Sequence, residues 1–194
     1  MMNLRDIDIR RTPPVNAEIS IRRAWQTMQA ENVTTLCVTD AEGKLSGIIT
    51  LKDISTANLD GLDNYVLAKA ETGYENVVDT LDGTILAGDS SGKTVQGRIV
   101  VGAGSAEQME RAIHTGDIVI VSTPHNVYAT AQIIAQAAPV RHYMLSDGLL
   151  TFDLNTPVEN AAKVMSTVRH RYFPVLDDDG RFFGMVSHRN LLNR

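Results

Sequence analysis

Several residue types and patterns are scarce in this sequence, and each scarcity excludes a class of protein. The 194 residues include one cysteine, Cys37, so no intrachain disulfide can form and a reducing compartment is expected. No run approaches the roughly 18 consecutive apolar residues of a membrane span. The opening Met1-Met2-Asn3-Leu4-Arg5-Asp6 lacks the apolar stretch of a secretory signal. A cytoplasmic chain without a membrane partner is the expectation. Basic residues are outnumbered, 18 Lys and Arg against 23 Asp and Glu, for a net charge of −5, which argues against a nucleic-acid partner. The histidines His114, His125, His142, His170 and His188 are scattered, none at metal-ligand spacing from another. No metal site is expected. No Ser–His–Asp or Cys–His set stands out either, so no catalytic residue is assigned.

What is present is apolar residues enough for real cores: 43% hydrophobic against 21% charged, which fits one or two compact domains. The chain also repeats itself. From Glu18 to Ser55 it aligns without a gap to Asn155 to Leu192, at a constant offset of 137 residues. The identities are structural types: Ala24 with Ala161, Met28 with Met165, Val38 with Val175, Asp40 with Asp177, Gly43 with Gly180, and Gly47 with Gly184. Each copy predicts one helix–strand–turn–strand–helix unit. Ile21, Ala24, Trp25 and Met28 read as the core face of a helix capped by Ser20. Val158, Ala161, Ala162 and Met165 read as its counterpart, capped by Thr156 ahead of Pro157. Strands are expected at 36–38 and 45–50, and again at 173–176 and 182–187, each pair joined by an Asp-x-x-Gly turn. One such unit leaves a sheet face bare, so the two should pair.

Between the copies, the sequence is not rich in Pro, Gly or Ser, so it is no flexible linker. Val77 to Gly88 reads as strand around the Asp82-Gly83 turn. Gly97 to Gly102 reads as a strand. Ser105 to His114 reads as a helix with a Ser105–Gln108 capping box. Asp117 to Val121 reads as a buried strand, and Thr123-Pro124 as the start of a helix through Ala138 with Val127, Ala131 and Ile134 on one face. The order predicts a small inserted α/β domain. Gly102-Ala103-Gly104-Ser105 has the look of a phosphate loop without its third glycine, and a tight turn is the better reading.

Two matched positions carry the chemistry: Thr50 with Asp53, and Ser187 with Asn190. Each hydroxyl ends a strand, and three residues on a carboxylate or amide stands at the mouth of a helix. That pattern is a helix cap. It is also a way to hold ribose hydroxyls on the carboxylate and a phosphate on the hydroxyl. Its doubling favours the second reading. Around the second copy gather Arg169, Arg171, His188 and Arg189, suited to phosphate. Tyr172, Phe173 and Pro174 lie among them, and the two aromatics are suited to bracketing a base, with a core position for Phe173 as the alternative. Lys52 is the cation of the first motif. Cys37, on an apolar strand, reads as core.

Gly47-Ile48-Ile49-Thr50-Leu51-Lys52-Asp53-Ile54 resembles the strand-to-helix signature of a CBS domain, and Gly184 to Leu191 resembles it with Asn190 in place of the usual Asp. Val77 to Gly88, Gly97 to Val101 and Ser122 to Tyr128 resemble the DRTGG domain that splits the CBS pair in the regulatory insert of certain bacterial family II inorganic pyrophosphatases. The Asp-Arg-Thr-Gly-Gly-like middle of that domain has no counterpart, so the insert reads as shortened. The resemblance implies an α/β (α+β) fold: a CBS pair, or Bateman module, from residues 1–66 and 141–194 around a DRTGG-like insert at 67–140. It implies an adenine-nucleotide-binding regulatory module, with no intrinsic cofactor, for a manganese- or cobalt-dependent pyrophosphatase whose catalytic domains this chain lacks. AMP or ADP would inhibit, ATP or a diadenosine polyphosphate would activate, and the chain would be a homodimer. The implied nucleotide contacts are Thr50, Lys52, Asp53, Arg169, Arg171, Tyr172, Phe173, Pro174, Ser187, His188, Arg189 and Asn190. The rival reading is a dimerisation or scaffold module without nucleotide sensing.

Overall fold

A computed structural model describes residues 1–102, 104–122 and 127–192, and the backbone alone at 62, 127 and 128. In chain order, the first copy forms β1 (Val15–Asn16), α1 (Ile21–Glu31), β2 (Thr35–Thr39), β3 (Leu45–Thr50) and α2 (Leu51–Leu59). The intervening segment forms α3 (Val66–Lys69), α4 (Tyr74–Leu81), β4 (Ile99–Gly102), α5 (Ala106–Ala112), β5 (Ile118–Val121) and α6 (Val127–Ile133). The second copy forms β6 (Phe152–Asp153), α7 (Val158–Thr167), β7 (Tyr172–Leu176), β8 (Phe182–Ser187) and α8 (His188–Leu192). The chain divides into two compact units: residues 1–17, 28–50 and 144–194, and residues 18–27 and 51–143.

The first unit holds both repeat sheets. Strands β1 and β2 run parallel and β2 and β3 antiparallel, and β6, β7 and β8 repeat this pattern. The register repeats as well. Thr35 opposes Thr50 as Tyr172 opposes Ser187, and each sheet breaks register at the same place, after Val38 and after Val175. Each hairpin turn is built alike. The Oδ1 of Asp40 accepts the N–H groups of Glu42 and Lys44, and that of Asp177 accepts those of Asp179 and Arg181. Gly43 and Gly180 supply the positive φ, +82° and +75°.

The lead-in segments are exchanged between copies. Arg10, ahead of the first copy, pairs with Met185 of β8, whereas Leu145, ahead of the second, pairs with Ile48 of β3. This close approach explains the shared glycines. A Cβ on Gly47 would lie 2.8 Å from the Leu145 carbonyl oxygen, and one on Gly184 would lie 2.7 Å from that of Arg10. The N-terminal residues 4–6 form a single 3-10 turn, and Leu4 N–H donates to the Thr156 carbonyl at 3.0 Å. The Met2 carbonyl accepts the first N–H of α7, that of Val158, one of the donors a helix start leaves open. Leu4 and Ile9 accordingly sit in the second copy's core with Phe152, Val158, Met165, Phe173 and Val186. Thr156, expected to cap α7, instead accepts the N–H of Asp153 through its Oγ1, and the cap position falls to Pro157. Proline leaves no N–H unpaired there, and its fixed φ, −58°, suits the helix entrance.

The second unit centres on Val66, Leu67, Val77, Val95, Ile99 and Ile134, with β4 and β5 as a two-stranded parallel sheet. Residues 138–140 serve α1 here as residues 2–4 serve α7: Ile21 N–H donates to the Ala138 carbonyl and Val140 N–H to that of Ile19. Ser20 caps α1 as expected, its Oγ accepting the Arg23 N–H at 3.1 Å. The capping box of α5 is also formed, Gln108 N–H to Ser105 Oγ and Ser105 N–H to Gln108 Oε1.

Four further expectations need correction. Val77 to Gly88 is not strand. Its first part lies in α4, which buries Val77 and Thr80 on one side and ends at Asp82 in the left-handed region, φ +49°. The paired valines suit either structure, and spacing alone could not separate them. Strand β5 is half-buried rather than buried, with Val121 70% exposed, because among the described residues its sheet has two strands. Trp25 is 40% exposed, and the buried line of α1 is Ile21, Ala24 and Met28. Finally, α6 ends at Ile133 and passes into a 3-10 turn over Ile134–Ala137 that buries Ile134, while Ala131 is exposed. Residues 123–126, expected to start this helix, lie outside the described residues, as does Ala103 of the glycine turn.

Candidate functional site

The exchange of lead-ins leaves two clefts in the first unit, related by the same offset as the sequence copies. The first is lined by Thr12, Val33, Thr35 and Met185, with Arg10, Asn32, Thr34 and Tyr172 completing the wall, and encloses about 120 Å³. At the equivalent positions the second has Leu149, His170, Tyr172 and Ile48, and encloses about 10 Å³. That is room for about one water. The difference lies in the side chains. Leucine replaces Thr12, histidine replaces Val33 and tyrosine replaces Thr35, on the same backbone pattern.

Of the sequence-predicted residues, Tyr172 lines both clefts and Phe173 and Pro174 line the second, while Thr50, Lys52, Asp53, Arg169, Arg171, Ser187, His188, Arg189 and Asn190 are not among the lining residues. Tyr172 is 39% exposed and lines both. Phe173 is 1% exposed, its ring centroid 5.6 Å from that of Phe152. It takes the core alternative and meets only the edge of the second cleft, which at about 10 Å³ admits no base, a correction to the bracketing expected of it. Pro174 is buried beside it. Arg169 and Arg171 are exposed just ahead of β7. His188 is half-buried and Arg189 exposed on the first turn of α8. Arg169, Arg171, Arg189 and Lys52 form no ion pair among the described residues.

The two hydroxyl motifs end their strands as expected. Ser187 and Asn190 close on each other: Ser187 Oγ donates to Asn190 Oδ1 at 2.6 Å, and Ser187 N–H donates to the same oxygen at 3.0 Å. The Asn190 N–H in turn donates to Ser187 Oγ at 3.4 Å. This reciprocal box is the capping geometry. It consumes the amide oxygen and leaves the Asn190 NH2 as the group able to meet a ligand. In the first copy, Thr50 ends β3 opposite Thr35, which lines the larger cleft, and Asp53 lies in the first turn of α2.

Cys37 is 2% exposed, its Sγ 3.0 Å from the sulfur of Met185. Burial pushes its thiol up to about 12, so it is a core residue and not a nucleophile. Among the described residues no group of three His, Cys, Asp or Glu is placed to hold a metal, and no helix is long and apolar enough to cross a membrane.

Sequence reasoning missed Arg10, Thr12, Asn32 and Val33. The signal was available in the offset: small residues in the first copy stand where the second has bulky ones. The aromatic and cationic residues that stand out in the sequence belong to the second copy, whose cleft Leu149, His170 and Tyr172 fill.

Comparison with known proteins agrees with this fold. The CBS domain matches residues 4–60 and 140–194, and the DRTGG domain matches residues 76–149. The chain is 24% identical over 234 positions to the cobalt-dependent inorganic pyrophosphatase of Clostridium perfringens (strain 13 / Type A), covering 99% of this chain and 43% of that protein. It thus spans less than half the length of the relative it matches. The aligned stretch is longer than this chain, so the relative carries residues with no counterpart here. The CBS and DRTGG regulatory region of that pyrophosphatase, solved in complex with its activator diadenosine tetraphosphate, superposes with a TM-score of 0.84 at 22% identity, over 97% of this chain and all of that one. CBSX2 in complex with AMP superposes with a TM-score of 0.55 at 15% identity, over 99% and 94% of the two chains. The chain belongs to the CBS domain family, as a CBS pair with a DRTGG domain inserted between its two repeats.

Proposed function

We propose that this chain is the adenine-nucleotide-sensing regulatory region of a manganese- or cobalt-dependent inorganic pyrophosphatase, acting in the cytoplasm with catalytic domains outside this chain. The observation that carries the proposal is the larger cleft, whose Thr35 lies opposite Thr50 of the doubled motif. The base enters this cleft against Tyr172, and Thr50 and Asp53 meet the ribose. Lys52, Arg169, Arg171 and Arg189 supply charge for the phosphates and His188 a ring N–H, and Ser187 and Asn190 mark the equivalent, filled position. The cleft is smaller than a typical ligand pocket of about 300 Å³ or more, so a whole nucleotide must project from it. AMP and ADP would favour an inhibited arrangement, and ATP or a diadenosine polyphosphate an active one, each by binding one arrangement better. Support comes from the relatives, one solved with diadenosine tetraphosphate and one with AMP.

Calorimetry with AMP, ADP and ATP tests this, with dissociation constants below about 1 mM expected. The rival, a homodimerisation scaffold, draws on the closed Ser187–Asn190 box and the filled second cleft. It predicts a dimer by light scattering and no nucleotide heat.

A further inference from the structure

Arg10 holds three positions at once. Its backbone pairs with Met185 in both directions, at 3.2 and 2.9 Å. Its guanidinium donates to the Glu31 carbonyl at 2.8 Å and to that of Asn32 at 3.5 Å. These carbonyls end α1, where the chain turns out of the helix through Asn32 at φ +52°. It also forms part of the wall of the first cleft, where every other lining residue is uncharged. The neighbouring arginines are engaged elsewhere: Arg5 pairs with Asp178, and Arg11 lies 3.8 Å over the ring of Phe183. Arg10 has no carboxylate partner among the described residues. Among the described residues its charge is met by neutral carbonyl oxygens at the negative end of a helix. A guanidinium so placed is positioned for an anion yet uncompensated, and a phosphate offers it stronger, two-pronged bonds than carbonyls do. The equivalent position in the second copy is Asp147, of opposite charge.

We propose that Arg10 is an anion contact of the first cleft, and that on binding a ligand phosphate it releases the Glu31 and Asn32 carbonyls and loosens the last turn of α1. This rests on the nucleotide-sensing reading and names a residue and a response that the reading leaves open. The last turn is reported by two amides, Asn32 N–H bonded to the Gln29 carbonyl and Val33 N–H to that of Met28.

The test compares AMP with adenosine on the intact chain, by calorimetry and by hydrogen exchange of the 28–33 segment. Arg10→Ala should weaken AMP about tenfold or more, as expected for loss of a charged hydrogen bond, and leave adenosine within about twofold. Arg10→Gln, which keeps a donor for the carbonyls without the charge, should do the same with an unchanged melting temperature. It answers the question if Arg10→Ala does not fold. AMP, and not adenosine, should speed exchange at Asn32 and Val33 in the wild type. Equal weakening of AMP and adenosine, no weakening of either, or AMP-induced slowing of exchange would each overturn the proposal. Wild-type protein that binds neither ligand would overturn the nucleotide reading itself, an outcome distinct from the others.

Discussion

The two CBS copies share the hydrogen-bond register of their sheets, the place where that register breaks, and the glycines that admit the other copy's lead-in. They differ in what fills the space above those sheets. Thr12, Val33 and Thr35 leave about 120 Å³ open, and Leu149, His170 and Tyr172 leave about 10 Å³. A repeated backbone therefore does not imply a repeated site. Register depends on backbone hydrogen bonds and glycines, which tolerate many side chains, whereas a cavity closes on a few added carbons.

The largest effect should come from breaking the exchange of lead-ins. Removing residues 1–10 deletes Leu4 and Ile9 from the second copy's core and the Met2 carbonyl from the start of α7. Cooperative unfolding of the first unit should be lost, seen as a flattened melting curve. Next, Phe173→Ala should cost about 3–5 kcal/mol in chemical denaturation, as for other buried aromatics. Trp25→Ala, at a half-exposed site, should cost clearly less. A Phe173→Ala value below that of Trp25→Ala would remove Phe173 from the core. The cleft comparison is sharpened by exchange of side chains. Thr35→Tyr should abolish AMP binding in calorimetry, and Leu149→Thr with Tyr172→Thr should open the second cleft. An unchanged AMP affinity in Thr35→Tyr would place the base elsewhere.

The smallest effect concerns the second unit. Asp117, 4% exposed, accepts from the Arg98 guanidinium at 2.6 Å and from the His114 N–H at 2.8 Å. The guanidinium first, and then the backbone N–H, hold its carboxyl down at about 2, against 3.8 ordinarily. A depressed carboxyl contributes stability that is complete above the unfolded value and lost as pH falls toward the folded one. The melting temperature should therefore drop between about pH 4 and pH 2 in the wild type. In Asp117→Asn it should start lower and drop less across that window.

Much of the fold was legible because the repeat was. Strand limits at 45–50 and 182–187 and both Asp-x-x-Gly turns follow from residues whose constraints are local. The expectations that failed were those in which local preference left alternatives. Two adjacent valines in α4 suit strand or helix until Val77 and Thr80 find a core. Trp25 fits the helical stripe yet lies beside the buried line and not on it. Thr156 has the chemistry of a cap, but a tertiary partner, the Met2 carbonyl, already meets the α7 N–H. At the site, the hydroxyl motifs stood out because their spacing is a short-range property. Arg10 and Thr12 did not, because their importance depends on Met185, about 175 residues away.

The sequence by itself determined that the chain is two copies of one unit around an inserted domain, since the offset, the turn glycines and the apolar periods are all written in residue order. Only the tertiary structure decided which copy holds the open cleft, that each lead-in completes the other copy, and that Phe173 is core. Those outcomes depend on which side chains meet across distant segments and how much volume they leave, and no short-range pattern carries that information.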